Sequence, residues 1–292
     1  MQLGLGELYS ISAAACWGLA VVIYMRLGQS VPPVALSLFK NLIVVALIIP
    51  TVLIVHGPAM PDFEWWTLGL AVLSGVLGIA VADTMFFRAL NVLGAGRTGI
   101  IGNLFSPFVI LLSMLFLDER LSLLQFCGFM LVMVGVVLVN QRHSNEVLTR
   151  EQIQRGIAYG VCAIFLNAAG IVMVKPVLER EPFFWVALIR ILAALIPMLW
   201  LWQVLPARHR VPDWRKMPWP LLITGALLGQ YLSMLLWLAG YKYTLASVAS
   251  VLNETASVFI LFFAWLFLKE GLTRRKLIGI GFTMCGVVVM LV

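Results

Sequence analysis

Ten long apolar stretches follow one another along this 292-residue chain, with only short connections between them. A helix needs about 20 apolar residues to cross the hydrocarbon core of a bilayer, and each stretch has roughly that length. We number them spans 1 to 10, with bounds good to a few residues: Glu7–Leu27, Val34–Val55, Trp66–Leu90, Gly96–Leu117, Leu123–Asn140, Gly156–Val174, Phe183–Leu205, Trp219–Tyr241, Ala246–Leu268 and Lys276–Val292. Because the connections average under about ten residues, any site must lie between the helices.

The chain is too apolar to cover a soluble fold with a polar surface. Apolar residues make up 62% of it and charged residues 11%, whereas soluble domains average about 25% charged. This excludes a soluble enzyme, a nucleic-acid-binding protein and a disordered regulator. The cysteines all lie inside apolar stretches, which excludes a disulfide-stapled secreted domain. A membrane β-barrel is excluded because its strands would alternate in polarity. The sequence predicts an all-α integral membrane protein with ten transmembrane helices.

The two halves of the sequence repeat one another. At a shift of 150 residues, which becomes 151 after one insertion, matching residues coincide: Tyr9 with Tyr159, Lys40 with Arg190, Gly75 with Gly225, Ala89 with Ala239, Asn103 with Asn253, Glu119 with Glu270, Gly128 with Gly279 and Gly135 with Gly286. This predicts two five-helix repeats, residues 1–145 and 146–292. Because five is odd, the second repeat is inverted in the membrane, as in many secondary transporters. That plan predicts alternating access around a site near the midplane.

Basic residues are distributed unequally between the two sides of the membrane. The side that holds both chain termini, which we name the terminal side, carries four of the twenty Lys and Arg, and the opposite side carries fourteen. Lys40 and Arg190 lie within spans. Cytoplasmic loops are enriched in Lys and Arg. The sequence therefore predicts that the opposite side is cytoplasmic and that both termini lie outside.

Several short motifs, most of them present in both halves, resemble the EamA family of the drug/metabolite transporter superfamily. The motifs are Ala15-Cys16-Trp17-Gly18, the basic Lys40 and Arg190, Phe86-Phe87-Arg88-Ala89-Leu90 with Leu236-Trp237-Leu238-Ala239, the acidic turns Asp118-Glu119-Arg120-Leu121 and Lys269-Glu270-Gly271-Leu272, and Gly128 with Gly279. The resemblance implies a ten-helix carrier of small polar metabolites, including amino acids. It further implies that the chain is not an enzyme. In the second half, Asn167-Ala168 replaces the Trp-Gly pair.

Four charged residues stand out because they lie well inside spans, where charge is costly and usually faces the bundle interior. Their depths allow two pairs of opposite charge: Lys40 with Asp83 towards the opposite side, and Arg190 with Glu254 towards the terminal side. We hypothesise that they act as gates or anchor the substrate. Lys40 and Arg190 could instead extend to the headgroups, whereas the short carboxylates cannot reach as far. Glu254 is the best candidate for a proton-coupling group.

Polar and aromatic side chains within spans are further candidates for the substrate pathway. Asn103 and Asn253 occupy equivalent positions, where an amide either bonds a neighbouring helix or contacts substrate. Trp17 and Tyr231 are candidates for the cavity wall, and Pro107 predicts a kink beside it. Asn167 and Gln230 could line the same space.

Other motifs are set aside. One segment matches the residue pattern of a dinucleotide-binding fingerprint: Gly94-Ala95-Gly96-Arg97-Thr98-Gly99. That fingerprint requires a preceding strand and a βαβ unit, whereas this segment joins two membrane helices. Cysteines and histidines lack metal-ligand spacing, so no metal or cofactor is predicted. The predicted partners are a small-molecule substrate and the bilayer, with no nucleic acid. The sequence leaves the oligomeric state open, with a monomer as one possibility.

The favoured function is an exporter of a small polar metabolite in a bacterial inner (plasma) membrane. The alternatives are a multidrug or cation efflux carrier, and a membrane-embedded scramblase or enzyme. The last would need His, Asp or Ser clustered near one interface, and the sequence has no such cluster.

Overall fold

The computed structural model describes the whole chain except residues 1–3, 28–30, 32, 141–148, 205–214, 216, 270–272 and 292. Every regular element in the described part is helical. In chain order the helices are Leu5–Leu27, Pro33–His56, Trp65–Gly75, Val76–Val81, Ala82–Gly102, Phe105–Phe116, Leu123–Asn140, Arg150–Arg180, Phe183–Val204, Trp219–Gly225, Ala226–Leu232, Ser233–Tyr243, Ala246–Asn253, Ala256–Leu268 and Arg274–Met290. Val76–Val81 and Ala226–Leu232 are π-helical.

The predicted all-α membrane fold is confirmed. Among the described residues, eight helical segments are long and apolar enough to span a bilayer. Span 5 is a shorter apolar helix, Leu123–Val139, and span 10 forms the 17-residue helix Arg274–Met290. The predicted repeat boundary at residues 145 and 146 lies outside the described residues, as does Glu270.

Span 6 is longer at both ends than the sequence predicts. Its helix runs over Arg150–Arg180, so Lys175, which the sequence assigns to a loop, is helical and buried. The Lys175 ammonium donates 2.8 Å hydrogen bonds to the backbone oxygens of Tyr241 and Thr244. These carbonyls lie at the end of span 8, where a helix leaves acceptors unsatisfied. A cation there also complements the dipole of the span 8 helix. These contacts explain why the span 6 helix continues past the end of its apolar stretch to include Lys175.

The connection between spans 3 and 4 retains helical backbone while the chain reverses direction. Helical hydrogen bonding continues over Ala82–Gly102, across the predicted connection. Nevertheless Ala89 and Ile101 both approach Gly160 of span 6. A straight helix would separate Ala89 from Ile101 by about 18 Å, so their common neighbour shows that the chain turns back between them. The equivalent reversal between spans 8 and 9 is instead made by two non-helical residues, Thr244 and Leu245.

Spans 5 and 10 pack backbone to backbone through four glycines. A Cβ on Gly128 would lie 2.8 Å from the Gly286 oxygen, and a Cβ on Gly279 would lie 2.8 Å from the Gly135 oxygen. Under the repeat, Gly128 corresponds to Gly279 and Gly286 to Gly135. The two contacts are therefore related by the pseudo-two-fold axis of an inverted repeat. We name these four residues the glycine seam.

Adding a methyl group to the glycine seam should destabilise the protein. In Gly279→Ala the new Cβ would meet the Gly135 oxygen, and overpacking of this kind costs about 1–3 kcal/mol. We expect the melting temperature in detergent to fall by several degrees. Gly281→Ala on the same helix is the matched control, because a Cβ there meets nothing within 4 Å. Equal melting temperatures for the two variants would contradict the backbone packing.

Candidate functional site

Helical geometry is interrupted at equivalent places in the two repeats. Spans 3 and 8 contain the π-helical segments Val76–Val81 and Ala226–Leu232. Spans 4 and 9 are broken by turns, at residues 103–104 and 254–255 respectively. π-Helical segments occur frequently at functional sites, and discontinuous membrane helices form the binding sites of many secondary transporters. These four interruptions mark the middle of the bundle as the candidate site.

The two broken helices are interrupted for different local reasons. In span 4, Pro107 has no N–H to bond the carbonyl of Asn103, and its ring crowds that carbonyl. The helix is interrupted at residues 103–104, next to Pro107, where the sequence predicts a kink. Span 9 has no proline at its break. Instead Asn253 donates through Nδ2 to the Ala249 oxygen at 2.7 Å, and Thr255 donates to the Leu252 oxygen at 2.6 Å. Side chains that bond the backbone in this way compete with regular helix geometry.

A cavity of about 460 Å³ lies at these interruptions. It collects residues from both repeats, and six of the eight predicted pathway residues line it: Trp17, Lys40, Asp83, Arg190, Asn253 and Glu254. Asn167 and Gln230 line it too. The described residues contain no group of three or more His, Cys, Asp or Glu side chains that could hold a metal ion.

Lys40 and Asp83 interact electrostatically across the cavity. They do not form a close ion pair, because the ion pairs within 4.0 Å in the described part of the chain lie elsewhere. The Lys40 ammonium instead donates a 3.1 Å hydrogen bond to Oε1 of Gln230, which belongs to the second repeat. The Asp83 carboxylate therefore keeps acceptor capacity for another donor.

Arg190 supplies a buried cation on the cavity wall. The residue is only 4% exposed, and its Nε has no hydrogen-bond partner in the described part of the chain. Span 3 fixes its backbone, since a Cβ on Gly75 would collide with the Arg190 carbonyl group. Arg190 and Glu254 line the same cavity without forming the ion pair that their depths allow. A guanidinium so placed has unused donors for an anionic group.

Glu254 bonds to span 4 rather than to Arg190. Its Oε1 lies 2.7 Å from the Ser106 hydroxyl, which is fully buried. The same hydroxyl lies 3.1 Å from the Ser250 carbonyl oxygen. In a continuous helix that carbonyl would accept from the Glu254 N–H, but here the N–H bonds to the Val251 oxygen. The Ser106 hydroxyl thus occupies the gap that the break opens in span 9.

Two predicted residues lie outside the cavity wall. Tyr231 shares a 2.6 Å hydrogen bond with Thr51 of span 2 and packs against the largest apolar cluster. Asn103 is buried at the break in span 4. Trp17, by contrast, lines the cavity, and its ring packs edge-on against Tyr24.

Hydrogen bonds join the two repeats on the terminal side, and the sequence did not predict them. The buried Glu119 carboxylate accepts from the backbone N–H groups of Ala246 and Ser247, at 2.7 and 2.9 Å, and from the Ser247 hydroxyl. An anion at the start of a helix is favoured by the helix dipole. Two further bonds on this side join the repeats: Thr244 to Glu7 and Thr67 to Glu181. The repeated acidic turn was the signal that could have identified Glu119.

Comparisons with known proteins identify the family and the fold. The EamA-like transporter family matches residues 4–141 and again residues 154–292. The fold is similar to that of a protein solved by crystallography, with a TM-score of 0.82 at 17% identity over 97% of this chain and 95% of the other. At that identity the likeness concerns the fold alone. No curated protein matches the sequence.

Proposed function

Because the chain belongs to the EamA-like transporter family, and is thus a multi-pass membrane transporter of small molecules, we propose that it is a secondary carrier. Its substrate is a small polar metabolite that bears an anionic group, such as an amino acid. The direction we propose is export across a bacterial inner membrane, by alternating access between the inverted repeats.

The observation that carries this proposal is the buried Arg190, whose Nε has no hydrogen-bond partner among the described residues, in a cavity shared by both repeats. Burying a charge without a partner is costly, and a carboxylate is a bidentate partner for a guanidinium. Asp83, which lines the same cavity, supplies an acceptor for an ammonium group. The volume of about 460 Å³ falls within the range of ligand pockets, about 300–1,000 Å³, and is ample for one amino acid.

Alternating access is supported by the position of the bonds between the repeats. The Glu119, Glu7 and Glu181 contacts lie on the terminal side, and each joins one repeat to the other. A carrier that opens towards that side must break all of them together. Because the repeats are inverted copies, their exchange of conformations produces a second state that faces the other side.

A cationic substrate is the second candidate. Asp83 and Glu254 place two carboxyl groups in the cavity beside Trp17 and Trp237, and aromatic faces attract organic cations. The buried Arg190 opposes this reading, because a like charge repels a cation in a low-dielectric site. The two candidates therefore differ in what Arg190 does to binding.

Uptake into proteoliposomes tests the proposal. The purified chain would be offered a panel of labelled amino acids and organic amines, with and without a pH gradient. We expect saturable uptake of at least one solute with a carboxylate, and no uptake of permanently cationic amines. Uptake of amines alone would favour the second candidate, and uptake of nothing on the panel would reject the proposal.

Exchanging the charges of Lys40 and Asp83 should restore transport that the single variants lose. Lys40→Asp leaves two acidic groups facing each other, and Asp83→Lys leaves two basic groups, so each is expected to lower the uptake rate at least about 10-fold. The double variant recovers one charge of each sign at the same place. Uptake by all three variants in proteoliposomes measures this, and unchanged single variants would contradict a role for the pair.

The proposed orientation places the terminal side outside the cell, as the Lys and Arg distribution indicates. Single cysteines introduced at Thr149 and at Asp118, in a background without native cysteines, lie on opposite sides of the membrane. A membrane-impermeant thiol reagent added to intact cells should label position 118 and not position 149. The reverse labelling would invert the assignment.

A further inference from the structure

We propose that Glu254 is the coupling-proton site of this carrier, and that Ser106 is the residue that positions it. This inference rests on the proposed function and adds the coupling ion. The carboxyl group of Glu254 is neutral in the conformation described above, and it exchanges one proton with water in the course of the transport cycle.

The hydroxyl of Ser106 has one hydrogen and faces two oxygen atoms. It lies 3.1 Å from the Ser250 carbonyl oxygen and 2.7 Å from Oε1 of Glu254. A carbonyl oxygen can only accept. If Ser106 donates to Ser250, the shorter contact needs its hydrogen from Glu254, and only a protonated carboxyl group can provide one. A neutral Glu254 thus satisfies both contacts at once, while an ionised one leaves one contact without a hydrogen.

The surroundings of Glu254 also disfavour a negative charge. Among the described residues, the Ser106 hydroxyl is the one side chain bonded to it, the Ser106 backbone N–H also interacts with it, and no cation lies within ion-pair distance. Burying an ionised carboxylate with so little compensation is costly. Glu119 shows the contrast, because its carboxylate accepts three hydrogen bonds, two of them from backbone N–H groups. Glu119 therefore accepts hydrogen bonds from two residues of the second repeat, whereas Ser106 alone supplies the bonds to Glu254 among the described residues.

Other spans contribute the charged and titratable groups that face Glu254 across the cavity or through the core. They are Lys40 on span 2, Asp83 on span 3, Arg190 on span 7 and Tyr241 on span 8. Span 1 contributes Trp17, which does not titrate, and the cysteines of spans 5 and 10 lie on exposed surface. Tyr241 is fully buried, and its hydroxyl bonds to none of the residues that the structure describes; both Glu254 and Glu119 act on it electrostatically.

Proton exchange at this position bears directly on the contact between the repeats. Ser106 belongs to the first repeat, while Ser250 and Glu254 belong to the second. When water removes the proton from Glu254 as hydronium, the Ser106 hydroxyl must turn to the carboxylate, and the Ser250 carbonyl loses its donor. Deprotonation therefore weakens the join between spans 4 and 9, and reprotonation from water restores it.

Transport assays of three variants, Glu254→Gln, Ser106→Ala and Ser106→Thr, test this coupling. Glu254→Gln is permanently neutral, so the ratio of accumulation driven by a pH gradient to exchange of labelled solute without a gradient should fall at least about 10-fold. Ser106→Ala should impair the same accumulation, and Ser106→Thr, which keeps the hydroxyl, should restore it. A Glu254→Gln protein that still accumulates solute in response to the gradient would overturn the proposal.

Infrared spectroscopy of the purified protein gives a readout that does not depend on transport. We expect a carbonyl stretching band of a protonated carboxylic acid at neutral pH, absent in Glu254→Gln and shifted in Ser106→Ala, where one hydrogen bond is lost. Asp83→Asn and Glu119→Gln are controls that should retain the band. A spectrum without it, or a band unchanged in Glu254→Gln, would reject the neutral carboxyl group. Failure of every panel solute to be transported would reject the proposed function and leave this measurement valid.

Discussion

Replacing Arg190 with glutamine should lower the specificity constant for transport by about 10- to 100-fold. A hydrogen bond to a charged group contributes about 1.5–3 kcal/mol, and each 1.4 kcal/mol corresponds to about a factor of ten. The loss should be largest for solutes with a carboxylate, because the glutamine amide retains donors but no charge. Initial rates of uptake into proteoliposomes, measured over a range of solute concentrations, give this quantity.

Arg155 provides the control for Arg190. It lies on the surface in an exposed ion pair with Glu151, with a side chain 70% exposed, and such pairs contribute little. Arg155→Gln should therefore transport at the wild-type rate. If Arg190→Gln also transports carboxylate solutes normally, then the cavity cation does not bind them and the substrate class proposed above is wrong. If the variant instead gains uptake of organic amines, the cationic candidate is favoured.

Replacing Glu119 with alanine should open the terminal side and destabilise the protein. The variant leaves the N–H groups of Ala246 and Ser247 buried without their acceptor, and each unsatisfied group costs about 1–3 kcal/mol. We expect the melting temperature to fall by several degrees. A cysteine at Ser257, which lines the cavity, should also react faster with an impermeant thiol reagent applied from the terminal side.

Two further variants separate the closure from a general loss of stability. Glu119→Gln retains one acceptor oxygen and should give an intermediate rate of labelling. Glu151→Gln removes an exposed acidic residue, 71% exposed in its side chain, and should change neither measurement. Labelling at position 257 that is the same in Glu119→Ala as in the wild-type background would show that this carboxylate does not hold the terminal side closed.

The fold could be predicted from the sequence because the bilayer imposes a simple requirement. Spans need length and apolarity, and both are visible in the residues themselves. The five-helix repeat was visible too, since Asn103 and Asn253, or Gly128 and Gly279, recur at a nearly constant distance along the chain. The extent of span 6 was not visible, because it depends on acceptors that span 8 presents to Lys175.

The candidate site could be predicted in part. Ionisable residues within apolar spans were strong signals, and Lys40, Asp83, Arg190 and Glu254 all line one cavity. Their assignment as substrate-pathway residues stays a prediction. Depth along a helix could not give their partners, because a helix also has a rotation about its axis. That rotation turns Glu254 towards Ser106, and it turns Tyr231 towards Thr51 and away from the cavity.

The glycine seam has a consequence for how the two halves of the gene can change. Duplicated segments ordinarily diverge independently, since each can accept mutations that the other does not. Here Gly128 meets Gly286, and Gly135 meets Gly279, so a larger residue in either copy collides with the backbone of its twin. The close contact between spans 5 and 10 therefore constrains both repeats, and neither repeat can accept a larger residue at these glycines without a compensating change in the other.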